Sequence, residues 1–290
     1  MSYTTHTSVQ SDPDIPRYSV GKLAISAIGM TQALQLLDRR VETHTPAYVC
    51  AANLEAATLA QKDRAFREIE NRSLFTVADG MPLVWCARIQ GQSQVQRVTG
   101  PDLFVEVLRR SAQRGHTHYF FGDTQETLQK LKLVVKDRFP GVVLKGTHSP
   151  PFREWTDEEL RADVVEINRL QPSFVWVGLG CPKQEKWMAE AFPLVKSAIL
   201  IGVGAAFRFL LGEYRHPPRI CQLCGLEGVF WRAWQNPLRG VKWYGRYTLA
   251  CSGLLFDAMK KRMTKSRLLH HVPKPGDRLP VLGRGPDASD

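Results

Sequence analysis

"SFVWVGLGCPKQEKW", residues 173 to 187, begins with a run that is apolar on every residue from Phe174 to Val177. It then breaks at Gly178 and Gly180 and passes through Pro182 into a polar helix start. A short run with no polar alternation, bounded by glycines, reads as a strand buried on both faces of a sheet. Five other runs share this character: "AYVCAAN" (47–53), "SLFTVAD" (73–79), "HTHYFFGD" (116–123), "VVLKGTH" (142–148) and "SAILIGVG" (197–204). Between them, "TQETLQKLKLVVKDRF" and "TDEELRADVVEINRL" carry apolar residues three and four apart, and the second opens with Thr156 and Glu159 at capping-box spacing. Strands of this kind alternating with helices predict an α/β fold: a Rossmann-like, mostly parallel sheet with helices on both faces.

The rest of the chain bounds what such a fold could do. Its 290 residues suffice for one large domain with an appendage, and 43% hydrophobic with 23% charged residues is ordinary for a folded soluble protein. Six scattered cysteines (Cys50, Cys86, Cys181, Cys221, Cys224, Cys251) do not form a disulfide scaffold and suggest a reducing, cytoplasmic setting. The polar N-terminus lacks the apolar core of a secretory signal. The longest apolar run, "AILIGVGAAF" (198–207), stops at Arg208, too short to cross a bilayer core of about 30 Å.

A net charge of +11 calls for a polyanionic partner: nucleic acid, an anionic membrane face or a phosphorylated substrate. The charge is concentrated late. From Arg215 to Arg246 stand Arg215, Arg219, Arg232, Arg239, Lys242 and Arg246 against Glu227, and Lys260, Lys261, Arg262, Lys265 and Arg267 follow. Trp231, Trp234, Trp243, Tyr244 and Tyr247 are interleaved with them, and no strand pattern is present. This predicts a helical, basic and aromatic C-terminal appendage, a composition suited to phosphates and lipid headgroups together. The expected organisation is a flexible tail (1–18), the α/β core (19–214), the appendage (215–268) and a second tail (269–290).

In an open parallel sheet, ligands bind beyond the carboxyl ends of the strands, where loops converge with helix N-termini. Polar residues do follow the apolar runs. Asn53 stands before "LEAATLAQKDRAF", which reads as one helix, and would either cap it or meet a sugar hydroxyl. Asp79, followed by Gly80 and Pro82, is either a helix cap or a working carboxylate. "QRVTGPD" brings Arg97, Thr99, Gly100 and Asp102, an arginine beside a glycine turn that could grip a phosphate. In the opening stretch, Gly180 would let a ligand approach the backbone, and Lys183 and Gln184 offer donors beside Glu185.

Several other chemistries fail on spacing. Gly202 and Gly204 begin a dinucleotide fingerprint whose third glycine position is Phe207, so nicotinamide binding is set aside. Cys221 and Cys224 form a lone CxxC with only His216 nearby, short of a zinc ligand set. The Asp12-Pro13-Asp14 pair lies in the expected tail. No metal and no cofactor are expected.

The ordered blocks "AAN", "VADGMPLVW", "QRVTGPDLF", "YFFGD", "VGLGCPKQE", "IGVGAAF", "GEYRHPP" and "GLE" closely resemble the bacterial WecG/TagA/CpsF family, glycosyltransferase family 26, from about residue 20 to 247. The family includes the N-acetylmannosamine transferase of wall teichoic acid assembly and the N-acetylmannosaminuronic acid transferase of enterobacterial common antigen assembly. The resemblance implies an inverting, metal-independent hexosyltransferase. It would move a sugar, N-acetylmannosamine, its uronic acid or glucose, from a UDP-sugar to a polyprenyl-diphosphate-linked saccharide. The work would be done peripherally on the cytoplasmic face of the cell membrane. It also implies Asp79 as catalytic base, with Arg97 and Gln184 beside it. Asn53, Thr99, Gly100, Gly180, Lys183, Glu185 and Gly204 would bind substrate, joined by appendage arginines drawn from Arg215, Arg232, Arg239 and Arg246. Two positions depart from the family pattern: Arg208 where it usually has Asp, and Gly228 where it usually has Trp.

On this reading the partners are the UDP-sugar, the lipid-linked acceptor and an anionic membrane surface, with no nucleic acid; homo-oligomerisation is left open. The rival from another class is a nucleic-acid-binding module built on the basic, aromatic C-terminal region, which leaves the Asp79 and Gln184 blocks unexplained.

Overall fold

A computed structural model of the chain describes residues 14–215, 218–225 and 237–270. The six apolar runs become six strands: β3 (Ala47–Ala52), β4 (Phe75–Ala78), β5 (Thr117–Gly122), β6 (Val143–His148), β7 (Phe174–Gly178) and β8 (Ile199–Gly202). They form one sheet in the order β4-β3-β8-β7-β5-β6, with every neighbouring pair parallel. Ahead of them, β1 (Arg17–Val20) and β2 (Leu23–Ser26) make an antiparallel hairpin. Strand β1 starts within the stretch expected to be a tail, because a four-residue strand and a two-residue turn give too short a pattern to stand out.

The absence of polar alternation has a direct cause. Successive side chains of a strand point to opposite faces, and both faces here are covered. Val49, Phe120, Phe174, Trp176, Ile199 and Ile201 enter one core, with α1 (Met30–Glu42), α5 (Gly100–Arg114), α6 (Gln125–Arg138) and α9 (Ala206–Leu210). Tyr48, Cys50, Phe121, Val175, Val177 and Leu200 enter the other, with α7 (Asp157–Leu170) and α8 (Lys183–Ala191). Helix α7 begins with the expected capping box: the Glu159 amide donates to Thr156 Oγ1 at 3.3 Å, and the Thr156 amide to Glu159 Oε2 at 2.9 Å.

The segment expected as a single helix from residue 54 is two: α2 (Leu54–Lys62) and α3 (Arg64–Arg72). Asp63 breaks it, taking an extended conformation and accepting the Phe66 amide at 2.9 Å as the N-cap of α3. This is the competition between local side-chain hydrogen bonding and helix continuation that makes Asp a poor interior residue.

A third core gathers the hairpin, α2 and α4 (Met81–Ile89), and the long helix α11 (Pro237–His270) closes over it with Tyr247, Leu254 and Ala258. The inner face of α11 lies along α4, α2 and β1. Its opposite face leaves Leu249, Phe256, Met259 and Met263 exposed. Between core and α11 lies the short α10 (Arg219–Leu223). Two bonds tie this segment down: Arg97 Nη2 donates to Gln222 Oε1 at 3.2 Å, and the Tyr247 hydroxyl donates to the Gly225 carbonyl. Gly228, Trp231, Arg232, Trp234 and His216, like the two outermost expected tails from residue 13 back and 271 on, lie outside the described residues.

Candidate active site

The strand order decides where a ligand can sit. The connection leaving β5 runs outward to β6, whereas that leaving β7 runs the other way to β8. The two loops diverge, and the crevice between them at the carboxyl edge is a topological switch point. A cavity of about 610 Å³ opens there, lined from the ends of β5, β6, β7 and β8. Phe121 and Trp187 stack within its wall at 4.1 Å between centroids, and His148 stacks with Phe121 at 5.6 Å. Phe152, Trp155 and Tyr214 add aromatic surface. Flat apolar walls with a few polar groups are what a nucleoside-sized ligand requires.

Three pairs of ionisable groups stand in this wall. Arg208 meets Asp123 through Nε and Nη2, both at 2.9 Å, and the Thr124 amide adds a third bond to the same carboxylate at 2.7 Å. Burial alone would raise the Asp123 carboxyl, but the Arg208 pair and the Thr124 amide outweigh it and hold the group below the usual carboxylate range. Arg208, where the family pattern has Asp, is therefore the partner of an acid supplied by the end of β5. Arg153 is fixed likewise by Glu159 at 2.6 and 2.8 Å. His148 Nε2 lies 3.3 Å from Asp163, whose carboxyl burial pushes up to about 6 against the pull of that imidazole.

The other end of the sheet edge collects the first group of expected residues. Asp79 leaves β4 with its amide donating to Ala52 at 2.8 Å, and its Oδ2 accepts the Gly100 amide at 3.4 Å. It is not the cap of α4. That place belongs to Gly80, whose φ of +139° would strain any residue with a side chain and turns the chain sharply after the acid. Asn53 caps α2, its Oδ1 accepting from Glu55 at 2.9 Å and Ala56 at 3.0 Å. Thr99 caps α5, and Gly100 lets that helix start against β8, since a Cβ there would sit 3.0 Å from the Val203 carbonyl oxygen. The Val98 amide bonds Ala78 at 3.0 Å, which lays the Arg97 loop along the end of β4. Arg97 faces Asp102 at 3.8 Å as well as Gln222.

Gly180, Lys183 and Gly204 line the aromatic cavity. Gln184 and Glu185 stand behind the wall, only 4% and 1% exposed. Arg215 and Arg246 are exposed; Arg239 lies in α11 with its side chain outside the described set, as is all of Arg232. Sequence reasoning passed over Asp123 and Arg208 as site residues, although "FFGD" places Asp123 after a strand like the others. It also passed over the aromatic wall, which only the convergence of four loops assembles.

Residues 18–268 match the glycosyl transferase WecG/TagA/CpsF family. The chain belongs to this family. Among curated proteins it is similar to the N-acetylglucosaminyldiphosphoundecaprenol N-acetyl-beta-D-mannosaminyltransferases of Staphylococcus aureus. The match to that of strain NCTC 8325 / PS 47 is 25% identical over 183 residues, covering 63% of this chain and 70% of the relative. The protein of strain MRSA252 matches at the same 25% over 183 residues with the same coverage. Among the described residues of this WecG/TagA/CpsF chain, no helix is long and apolar enough to cross a membrane.

Proposed function

We infer that the protein transfers a hexosyl group from a UDP-sugar to a polyprenyl-diphosphate-linked saccharide, with inversion and without a metal, for cell-surface or exopolysaccharide synthesis. One observation carries the reading: the strand order lines up Asp79, Asn53, Gly204, Gly180 and Asp123 along a single edge, on β4, β3, β8, β7 and β5 in turn. Two strand spacings of about 4.8 Å separate the acid from the cavity's near wall at Gly204 and four, about 19 Å, from Asp123 within it, a span that suits an extended nucleotide diphosphate sugar. The nucleoside would occupy the aromatic cavity, the diphosphate would lie past Gly180, Gly204 and Lys183 at the start of α8, and the sugar would face Asp79. The Staphylococcus aureus relatives are named for a lipid-diphosphate acceptor of this class.

In this scheme Asp79 removes the proton from the acceptor hydroxyl as that oxygen attacks the anomeric carbon on the face opposite the leaving UDP. The new C–O bond forms as the bond to the diphosphate breaks, and Arg97 with appendage arginines meets the charge developing on the diphosphate oxygens. The exposed apolar face of α11, with Arg246, Lys260 and Arg262 on the same helix, would rest on an anionic membrane.

The test is a donor screen that follows UDP release with a synthetic polyprenyl-diphosphate-sugar acceptor, with and without EDTA. Asp79→Asn should lower turnover by about 10² to 10⁴ with the melting temperature preserved. Release of UDP at the wild-type rate by a folded Asp79→Asn variant rules out the acid as base, and absence of release from every sugar nucleotide rules out the transfer itself.

A further inference from the structure

A chain of hydrogen bonds runs behind the cavity wall from the turn after β8 to a pair of buried acids. Gln184 Oε1 accepts the Gly204 amide at 2.9 Å, and Gln184 Nε2 donates to Glu185 Oε1 at 2.8 Å. The amide sits hard against the strand end: a Cβ on Gly202 would lie 3.0 Å from Gln184 Nε2. The two bonds admit one orientation of the amide, because a flip would set NH₂ against N–H at Gly204 and oxygen against carboxylate at Glu185.

Helix α8 packs on α3, which brings Glu185 within electrostatic reach of the fully buried Glu70. Glu70 Oε2 accepts from Thr76 Oγ1 at 3.2 Å. The thiols of Cys50 and Cys181 serve Glu70 and Glu185 respectively. Each acid keeps one buried oxygen with no hydrogen-bond partner, Glu70 Oε1 and Glu185 Oε2. Two carboxylates that feel each other's charge in one dry site do not readily both ionise, so the pair retains a proton. Burial and then the charge of Glu185 push Glu70 up to about 8, and burial raises Glu185 as well. The groups facing the pair are Arg17 from β1, Tyr48 and Cys50 from β3, Thr76 from β4, and Cys181 and Gln184 at the start of α8. Arg17 is engaged with the carbonyls of Asn71 and Ser73 at 2.9 and 2.7 Å, so it holds the turn before β4 rather than closing an ion pair with Glu70.

We propose that Glu185 is a positioning residue for the transfer: its fixed oxygen locks Gln184 in the orientation that holds the Gly204 turn between Asp79 and the aromatic cavity. The kinetic part rests on the reading of this edge as a sugar-transfer site; the relay itself does not. Loss of the pair's last proton leaves two anions in one dry site, whose repulsion shifts Glu185 and releases the amide. Donor binding should therefore weaken as pH rises past about 8.

The experiment measures donor KM and kcat from UDP release across that pH range, together with hydrogen exchange at the Gly204 amide and the melting temperature. Glu185→Leu should speed Gly204 exchange and raise donor KM about 10-fold, the effect of one net hydrogen bond, with kcat less affected. Glu185→Gln, which retains an acceptor for Gln184, should restore both. Glu70→Gln, which cannot become an anion, should abolish the alkaline rise in KM. A folded Glu185→Leu variant with unchanged Gly204 exchange and unchanged KM overturns the proposal. Should Glu185→Leu fail to fold, an alkaline limb untouched by Glu70→Gln overturns it instead. Faster Gly204 exchange in a protein that turns over no sugar nucleotide would sink the transferase reading while leaving the relay standing.

Discussion

Replacing Leu249, Phe256 and Met263 together by Ser tests the proposed membrane attachment through the outer face of α11. The three lie seven residues apart on one stripe of the helix and are 76%, 66% and 56% exposed, so the change removes little from the folded core. Fully burying such a side chain is worth about 1.5–3 kcal/mol, and the exposed fractions together represent about 4 kcal/mol if all of that area enters the acyl region. Insertion to half that depth yields about 2 kcal/mol, a factor of about 30 in the partition coefficient. Arg246, Lys260 and Arg262 lie on the same helix, and each contributes about 1 kcal/mol near an anionic surface. The charge and apolar terms are thus comparable, and salt separates them. At about 1 M salt the screening length falls to about 3 Å, which removes most of the charge term and leaves the apolar one. Sedimentation with phosphatidylglycerol vesicles should show the triple variant binding about 30-fold more weakly than wild type at both low and high salt. Equal binding of the two proteins at high salt would refute the reasoning, because the stripe would then contribute nothing to lipid contact.

Three further outcomes follow from the geometry. Gly80→Ala forces a side chain into a φ of +139° and should cost about 1–3 kcal/mol, while lowering turnover more than the melting shift explains because Asp79 is displaced; unchanged turnover would show that the turn does not aim the acid. Arg208→Ala strands the Asp123 carboxylate, 9% exposed, and should destabilise by about 2 kcal/mol and weaken UDP binding. Arg208→Lys should not rescue it, since only a planar fork reproduces the paired contacts; calorimetry with UDP and thermal melts report both. Glu70 keeps its proton in the native state to about pH 8 but releases it near 4.5 when unfolded. The native state therefore binds the extra proton within that window, and stability falls as pH rises through it. Glu70→Gln should flatten the corresponding decline in melting temperature.

The central strands were legible because burial on two faces leaves a mark on every residue: "FVWV" and "ILIG" contain no polar position to misread, whereas no residue of the edge strand β6 is buried. The position of Asp79 was legible too, but not its local duty. An acid followed by glycine looks the same whether it or the glycine caps the next helix, and the backbone angle of Gly80 settles it. Around Gln184 the limit is rotational. Lys183, Gln184 and Glu185 follow one another along α8 at about 100° per residue, so one faces the cavity while the next two turn inward. Which one does depends on how α8 packs on α3. Glu70, in the charged stretch "RAFREIENR", gave no hint of burial. Asp123 and Arg208, 85 positions apart, meet only because β5 and the helix after β8 end at the same edge.

The seat of α11 on α4 has a thermodynamic consequence. Helix α4 begins one residue after Gly80, so the helix whose outer face is open for lipid and the helix that carries the acid at its start share one packed interface. Should membrane and substrate both bind as proposed, reciprocity applies across that interface: whatever factor a membrane lends to substrate affinity, substrate must return to membrane affinity.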